Sequence, residues 1–198
     1  MSDHAGRLPL LAPETLDPDQ RALYDAILGG PRGTGPFSVA DDRGRLQGPF
    51  NALLHTPGIG AAVERLGAVL RFDGTLDDRT RELVICAVAA HWGSDYEWYA
   101  HSRMARASGV SAAELESLRG RTIPDGLTRA EDAAMRLATA LLRDRTVDAG
   151  VYHDAAEHQG PGRIVELCAL VGYYQLLAGV LAAADVPAPA DEIGEQAG

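Results

Sequence analysis

No stretch of this chain alternates apolar and polar residues with a period of two, whereas helix-start signatures recur along most of its length. Asp17-Pro18-Asp19-Gln20 joins a capping aspartate, a proline suited to a first turn and a glutamine that completes a capping box. Ser111 with Glu114 and Thr128 with Glu131 repeat the box. Asp77 or Asp78 and Ser94 or Asp95 are further caps, and Asp148 and Pro161 open the last two segments. Glycines punctuate the ends, at Gly29-Gly30, Gly74, Gly93 and Gly109. The pattern predicts an all-α fold of about seven or eight helices in one domain, residues 8–187, with 1–7 and 188–198 as disordered tails.

Two features of that layout bear on function. The helix opened by Thr56-Pro57 carries Ile59, Val63, Leu66, Val69 and Leu70 on one stripe, and the last helix, to about Ala184, is apolar on most sides and therefore central. Together they offer more apolar surface than one small bundle hides, which predicts a homo-oligomer. The loop from Gly29 to Gly48, rich in Gly, Pro and charge, is longer than an ordinary connection and reads as a lid or a subunit-contacting arm.

Bulk properties exclude several classes. The chain has 198 residues, 46% of them hydrophobic, enough for a full core. A net charge of −10 argues against nucleic acid or an anionic membrane as partner, since both require a basic face. The absence of a basic n-region before an apolar run, and of an apolar run of membrane-spanning length, predicts a cytoplasmic protein. Cys86 and Cys168 read as reduced thiols in helix faces.

The chemistry is concentrated between Leu83 and Met104, LVICAVAAHWGSDYEWYAHSRM. Apolar residues run to Ala90; then His91, Trp92, Tyr96, Glu97, Trp98 and His101 arrive together, with both tryptophans of the chain among them. Glu97 and His101 are four apart and share a helix face, so the carboxylate can orient an imidazole that titrates near neutrality, or the two form an ordinary surface ion pair. Glu82 is either a buried proton relay or a salt-bridge partner of Arg79, Arg81 or another helix. His91 at a helix end reads as a cation favoured by the dipole. Tyr173-Tyr174 and Glu166 interrupt the last helix; the tyrosines read first as core packing and second as pocket lining. No HExxH or CxxC spacing supports a metal, although His91, Glu97 and His101 could supply three ligands. Gly33-Thr34-Gly35-Pro36 lacks the third glycine and the lysine of a phosphate loop, and Ser94 lacks a GxSxG context.

GPFNALLHTP over 48–57, Arg81-Glu82-Leu83, the run HWGSDYEWYAH over 91–101 and ELCALVGYY over 166–174 resemble the carboxymuconolactone decarboxylase family. The resemblance implies the helical fold shared with alkylhydroperoxidase D, and trimers or a dimer of trimers. The peroxidase branch of that superfamily carries a Glu, a CxxC and a His. Glu82 and His101 match its Glu and His, but the cysteine positions fall on Ser94 and Glu97. A thiol-dependent hydroperoxide reductase is therefore disfavoured. The decarboxylase-like reading implies a lyase that requires no cofactor, acting on a small cyclic or unsaturated carboxylic acid or lactone. In that reading His101 is the proton donor, Glu97 orients it, Glu82 relays protons, and Trp92, Tyr96 and Trp98 wall a dry pocket. Asn51 is a further substrate-binding candidate. Arg71, Arg81 and Arg103 are alternative anchors for an anionic substrate, and the sequence does not choose between them. A non-catalytic oligomeric ligand-binding protein on the same fold is the remaining alternative.

Overall fold

A computed structural model of the chain describes residues 4–30 and 38–189. Most of the described residues lie in eight α-helices: α1 Pro18–Gly29, α2 Gly48–Leu54, α3 Pro57–Ala68, α4 Asp78–Trp92, α5 Asp95–Ala107, α6 Ala112–Arg119, α7 Arg129–Arg143 and α8 Ala149–Ala184. The capping signatures act where the sequence put them. Asp17, Ser111 and Thr128 each close a capping box with Gln20, Glu114 and Glu131. Asp77, rather than Asp78, caps α4 by accepting from the Thr80 N–H. Ser94 precedes α5, but its side chain makes no capping bond.

The centre of the molecule is α4, α7 and the second half of α8, with α5 laid along α4. Leu83, Val84, Ile85, Cys86 and Val88 of α4 are all buried, and they meet Met135, Leu137 and Ala138 of α7 and Leu167, Leu170 and Val171 of α8. At about 1.5–3 kcal/mol for each fully buried large aliphatic side chain, this layer carries most of the stabilisation. α8 is long and apolar enough to cross a membrane by length and composition, yet half of its most hydropathic window is packed inside the fold. It bends at Gly160, which takes φ 76° and ψ 164° immediately before Pro161. Proline disfavours helical geometry in the residue before it, so the Asp148 and Pro161 segments are two helical stretches joined across this non-helical residue, as the sequence predicts.

Several expectations are corrected. Residues 4–7, read as part of a disordered tail, belong to a short hairpin of strands β1 (His4–Ala5) and β2 (Leu8–Pro9). The hairpin is tied to the end of α8, where the Arg7 N–H donates to the Ala184 carbonyl at 2.7 Å. Residues 1–3 and 190–198 lie outside the described residues, as does the Gly33–Pro36 motif. Helix α2 was not anticipated. It is only seven residues long, too short for a period to show, and six of them are buried. The described remainder of the long loop is folded: Ala40 bridges Leu46, Asp41 and Arg45 form a buried ion pair at 2.7 Å, and the Tyr24 hydroxyl donates to the Gly44 carbonyl.

α3 runs into one turn of π-helix, Val69–Asp73, which places Arg71 (below) and ends before Gly74. A turn of π-helix displaces side chains from the regular 3.6 period and recurs at functional sites. The next turn is held by Glu166 of α8, whose carboxylate accepts from the Thr75 N–H at 2.9 Å, the Thr75 hydroxyl at 2.7 Å and the Leu76 N–H at 3.1 Å. Burial alone would raise the Glu166 pKa; the bonds from Thr75 and Leu76 outweigh it and hold the group below its ordinary value. A depressed carboxylate stabilises the fold above its unfolded pKa, and that contribution fades as pH falls through the folded value. Glu166→Gln is therefore expected to cost about 1 kcal/mol near neutral pH and nothing in acid. Urea unfolding of both proteins at the two pH values checks it; an equal difference at both would contradict the account.

Candidate active site

Helices α4 and α5 are joined through Gly93, which adopts the left-handed conformation and turns the chain back on itself. This brings Glu82 of α4 against the face of α5 that carries Glu97 and His101. His101 Nδ1 lies 2.7 Å from Glu82 Oε2, and His101 Nε2 lies 3.4 Å from Glu97 Oε2. The relative exposures are 1% for Glu82, 4% for Glu97 and 5% for His101, so this is no surface ion pair. An ionised carboxylate only accepts hydrogen bonds, so the tautomer with its hydrogen on Nδ1 is the one that satisfies Glu82. The other oxygen of Glu82 makes no hydrogen bond among the described residues, and Arg81 Nε stands 3.9 Å from it.

The last helix completes the enclosure. The Tyr174 ring meets the His101 ring edge-on at 4.9 Å, and Tyr173 meets Tyr174 in the same manner at 5.2 Å. Burial, with the nearby charges of Glu97 and Glu82, raises the Tyr174 hydroxyl well above its ordinary pKa. It is therefore a neutral wall beside the imidazole. The sequence reading placed Tyr174 first as core packing; its contact with His101 follows from the crossing of α5 and α8, which local pattern does not encode.

The predicted aromatic walls separate into distinct positions. Tyr96 stays near Glu97: burial, then the Glu97 charge, raises its hydroxyl pKa. Its ring rests on Gly48, where φ is +60° and an added Cβ would come within 2.1 Å of the ring. Gly48→Ala is expected to lose about 1–3 kcal/mol, from left-handed backbone strain and overpacking together. Thermal unfolding measures the loss, and near-UV circular dichroism reads the displaced tyrosine. Trp92 and Tyr96 share a hollow of about 240 Å³ with Ser94 and the end of α8, but neither Glu97 nor His101 lines it. Trp98 instead packs on the core, with the Arg119 guanidinium 5.1 Å from its ring. Asn51 is corrected from a substrate contact to a structural clamp: its amide donates to the Pro9 carbonyl and accepts from the Leu11 N–H.

The charged residues also sort themselves. Arg81 is held by Asp78 at 2.7 Å, and Arg103 stacks on Tyr99 at 3.7 Å. Arg71 donates to the Met104 sulfur, one turn beyond His101, and has no carboxylate partner among the described residues. Its charge also reaches Tyr174. Arg79 is taken up by Glu114 and Glu131. His91 is not the expected helix-end cation: burial first, then the charges of Arg121, Arg143 and Arg145, lower its pKa. Cys86 is buried, and burial together with the charge of Glu82 raises its thiol pKa, which suppresses the thiolate. Among the described residues no group of His, Cys, Asp and Glu has the arrangement of a metal site.

Similarity to known proteins agrees with this architecture. The peroxidase-related protein with an alkylhydroperoxidase AhpD core from Ralstonia eutropha JMP134 superposes with a TM-score of 0.75 at 17% identity, over 96% of this chain and 95% of its own. The peroxidase-related protein from Silicibacter sp. TM1040 superposes with a TM-score of 0.72 at 14% identity, over 98% of both chains. The debrominase Bmp8, as a cysteine-to-alanine variant in complex with 2,3,4-tribromopyrrole, gives 0.64 at 18% identity, over 96% of this chain and 94% of its own. At such identities the likeness establishes the fold alone. No curated protein sequence matches the chain. Residues 57–140, which hold Glu82, Glu97 and His101, match the family model described as "Carboxymuconolactone decarboxylase family", and the all-α fold is that of the AhpD-like structures it superposes on.

Proposed function

We propose that the protein is a cofactor-independent lyase that removes CO₂ from a small cyclic or unsaturated carboxylic acid or lactone. The observation that carries this reading is an imidazole held between two buried carboxylates, 2.7 Å from Glu82 and 3.4 Å from Glu97. In the proposed step the bond to the carboxyl carbon breaks and CO₂ leaves. The electron pair spreads through the unsaturated ring. His101, protonated at both nitrogens, delivers the Nε2 proton to carbon and keeps its Nδ1–H on Glu82. Glu97 faces Nε2 and returns a proton to it from solvent. Arg71 anchors the substrate carboxylate, since Arg81 and Arg103 are already engaged. Positioned proton donors of this kind contribute roughly 10²–10⁴-fold, and a dry site strengthens the electrostatics.

Thiol chemistry is the weaker reading. Ser94 and Glu97 stand where a CxxC would be, and Cys86 is buried with a raised pKa. The test is incubation with carboxylated unsaturated lactones in D₂O. CO₂ release with one deuterium at the product carbon, unaffected by thiol alkylation, is expected. Activity that disappears on alkylation would replace this reading with the thiol one.

We also propose that the chain assembles with copies of itself. Ile59, Leu66, Val69 and Phe72 are 64%, 44%, 45% and 41% exposed along one side of α3 and its π-turn. Such a row of large apolar side chains is unfavourable in water unless it is covered. Sedimentation equilibrium is expected to give a mass of at least two chains at micromolar concentration; a monomer would contradict it.

A further inference from the structure

A second cluster of chemistry lies at the opposite end of α4 from Glu82. Nine residues separate Glu82 from His91, about 14 Å along a helix at 1.5 Å per residue. There His91, Trp92, Leu141, Arg145, Cys168 and Val171 line a hollow of about 490 Å³, contributed by α4, the end of α7 and α8. That volume falls within the range of small-molecule sites, roughly 300–1,000 Å³. A smaller hollow adjoins it through His91 and Leu142 and is lined by Arg121, Arg143, Thr122 and Thr139.

Three arginines therefore surround His91 in a protein of net charge −10. None has a carboxylate partner among the described residues; Arg121 donates from Nε to the Ala90 carbonyl at 3.1 Å, which caps α4. Their combined field acts on His91, whose pKa is lowered by burial first and then by these charges.

The backbone adds a second, independent observation. Arg121 and Arg145 both adopt left-handed geometry, φ 60° and φ 56°, each just past the end of a helix. That position favours glycine, and a side chain there is disfavoured by roughly 1–2 kcal/mol. Capping an α4 carbonyl gives Arg121 an ordinary reason to be there. Arg145 has none: its side chain makes no hydrogen bond or ion pair among the described residues, and this exposed residue lines the hollow. The residue type at that position serves the side chain rather than the turn.

We propose that the Trp92–Arg145 hollow binds a small planar aromatic or unsaturated carboxylate, at a site separate from the Glu82–His101–Glu97 cluster. Arg145 pairs with the carboxylate through its planar fork. Trp92, 44% exposed, offers a ring face, and Leu141 and Val171 an apolar floor. The site does not depend on the proposed lyase chemistry.

Cys168 provides the readout. It is exposed on the wall of the hollow, whereas Cys86 is fully buried, so one thiol reacts first. Burial raises the Cys168 pKa, so the full-length protein is labelled with a disulfide reagent at mildly alkaline pH. Benzoate is expected to slow labelling saturably, by about tenfold at ten times its Kd. Benzamide, of the same shape without charge, and inorganic phosphate, charged without a ring, are expected to have little effect. Arg145→Ala and Trp92→Leu should each abolish or strongly weaken the protection, and His101→Gln should leave it unchanged. Labelling that ignores benzoate would overturn the proposal, as would equal protection by benzamide or phosphate. Loss of protection in His101→Gln would show that no separate site exists.

Discussion

His101→Gln is expected to lower turnover by about 10²–10⁴-fold while leaving the fold intact. Glutamine is polar and nearly fills the imidazole volume, and its amide can still donate to Glu82 Oε2, now 2.7 Å from Nδ1. What it cannot do is carry a proton at one end while remaining bonded at the other. The edge-on contact with Tyr174 is lost, at about 0.5–1.5 kcal/mol, so the melting temperature falls by a few degrees at most. If the reaction is proton delivery to carbon, the loss lies in kcat and deuterium incorporation at the product carbon stops. Unchanged kcat would remove His101 from the chemistry altogether. Unchanged deuterium incorporation with a raised KM would make the ring a binding group only.

Glu82→Leu is expected to be the most destabilising single change in the site, at about 3 kcal/mol. Glu82 is 1% exposed, and its loss leaves the buried Nδ1 of His101 without its acceptor. The value sits at the lower end of the range for a broken buried pair because an imidazole, unlike a guanidinium, can shed its charge. A double change, Glu82→Leu with His101→Leu, should recover part of the loss, since neither polar group is then stranded. Urea denaturation of the four proteins closes the cycle. Strict additivity would mean that the two side chains are not coupled, and the holding of the imidazole by Glu82 would have no energetic basis.

Most of the fold was legible because its signals are local. Capping boxes at Asp17, Ser111 and Thr128, and breaks at Gly93 and Pro161, are set by neighbours within four residues, and each acts at its expected place. Helix α2 and the 4–9 hairpin were not legible. The first is shorter than two helical turns of useful pattern, and the second is held by the far end of α8. The site divides in the same way. Glu97 and His101 share a face by helical spacing alone. The pairing of His101 with Glu82, nineteen residues away, could be listed among Glu82's possible partners but not selected without the α4–α5 turn. Asn51 shows the opposite failure. A buried asparagine has the same sequence signature whether its amide meets a substrate or the chain's own β2 segment. The choice of Arg71 over Arg81 and Arg103 likewise required knowing what the other two already touch.

The tautomer of His101 tests the central claim without any knowledge of substrate. Long-range proton–nitrogen NMR on imidazole-labelled protein distinguishes the two ring nitrogens through a pH titration. The expected result is that Nδ1, facing Glu82 at 2.7 Å, keeps its hydrogen throughout, while Nε2, facing Glu97 at 3.4 Å, is the atom that gains and loses one. A ring protonated at Nε2 and bare at Nδ1 at neutral pH would contradict it, because Glu82 would then not hold the Nδ1–H that the proposed delivery from Nε2 keeps in place.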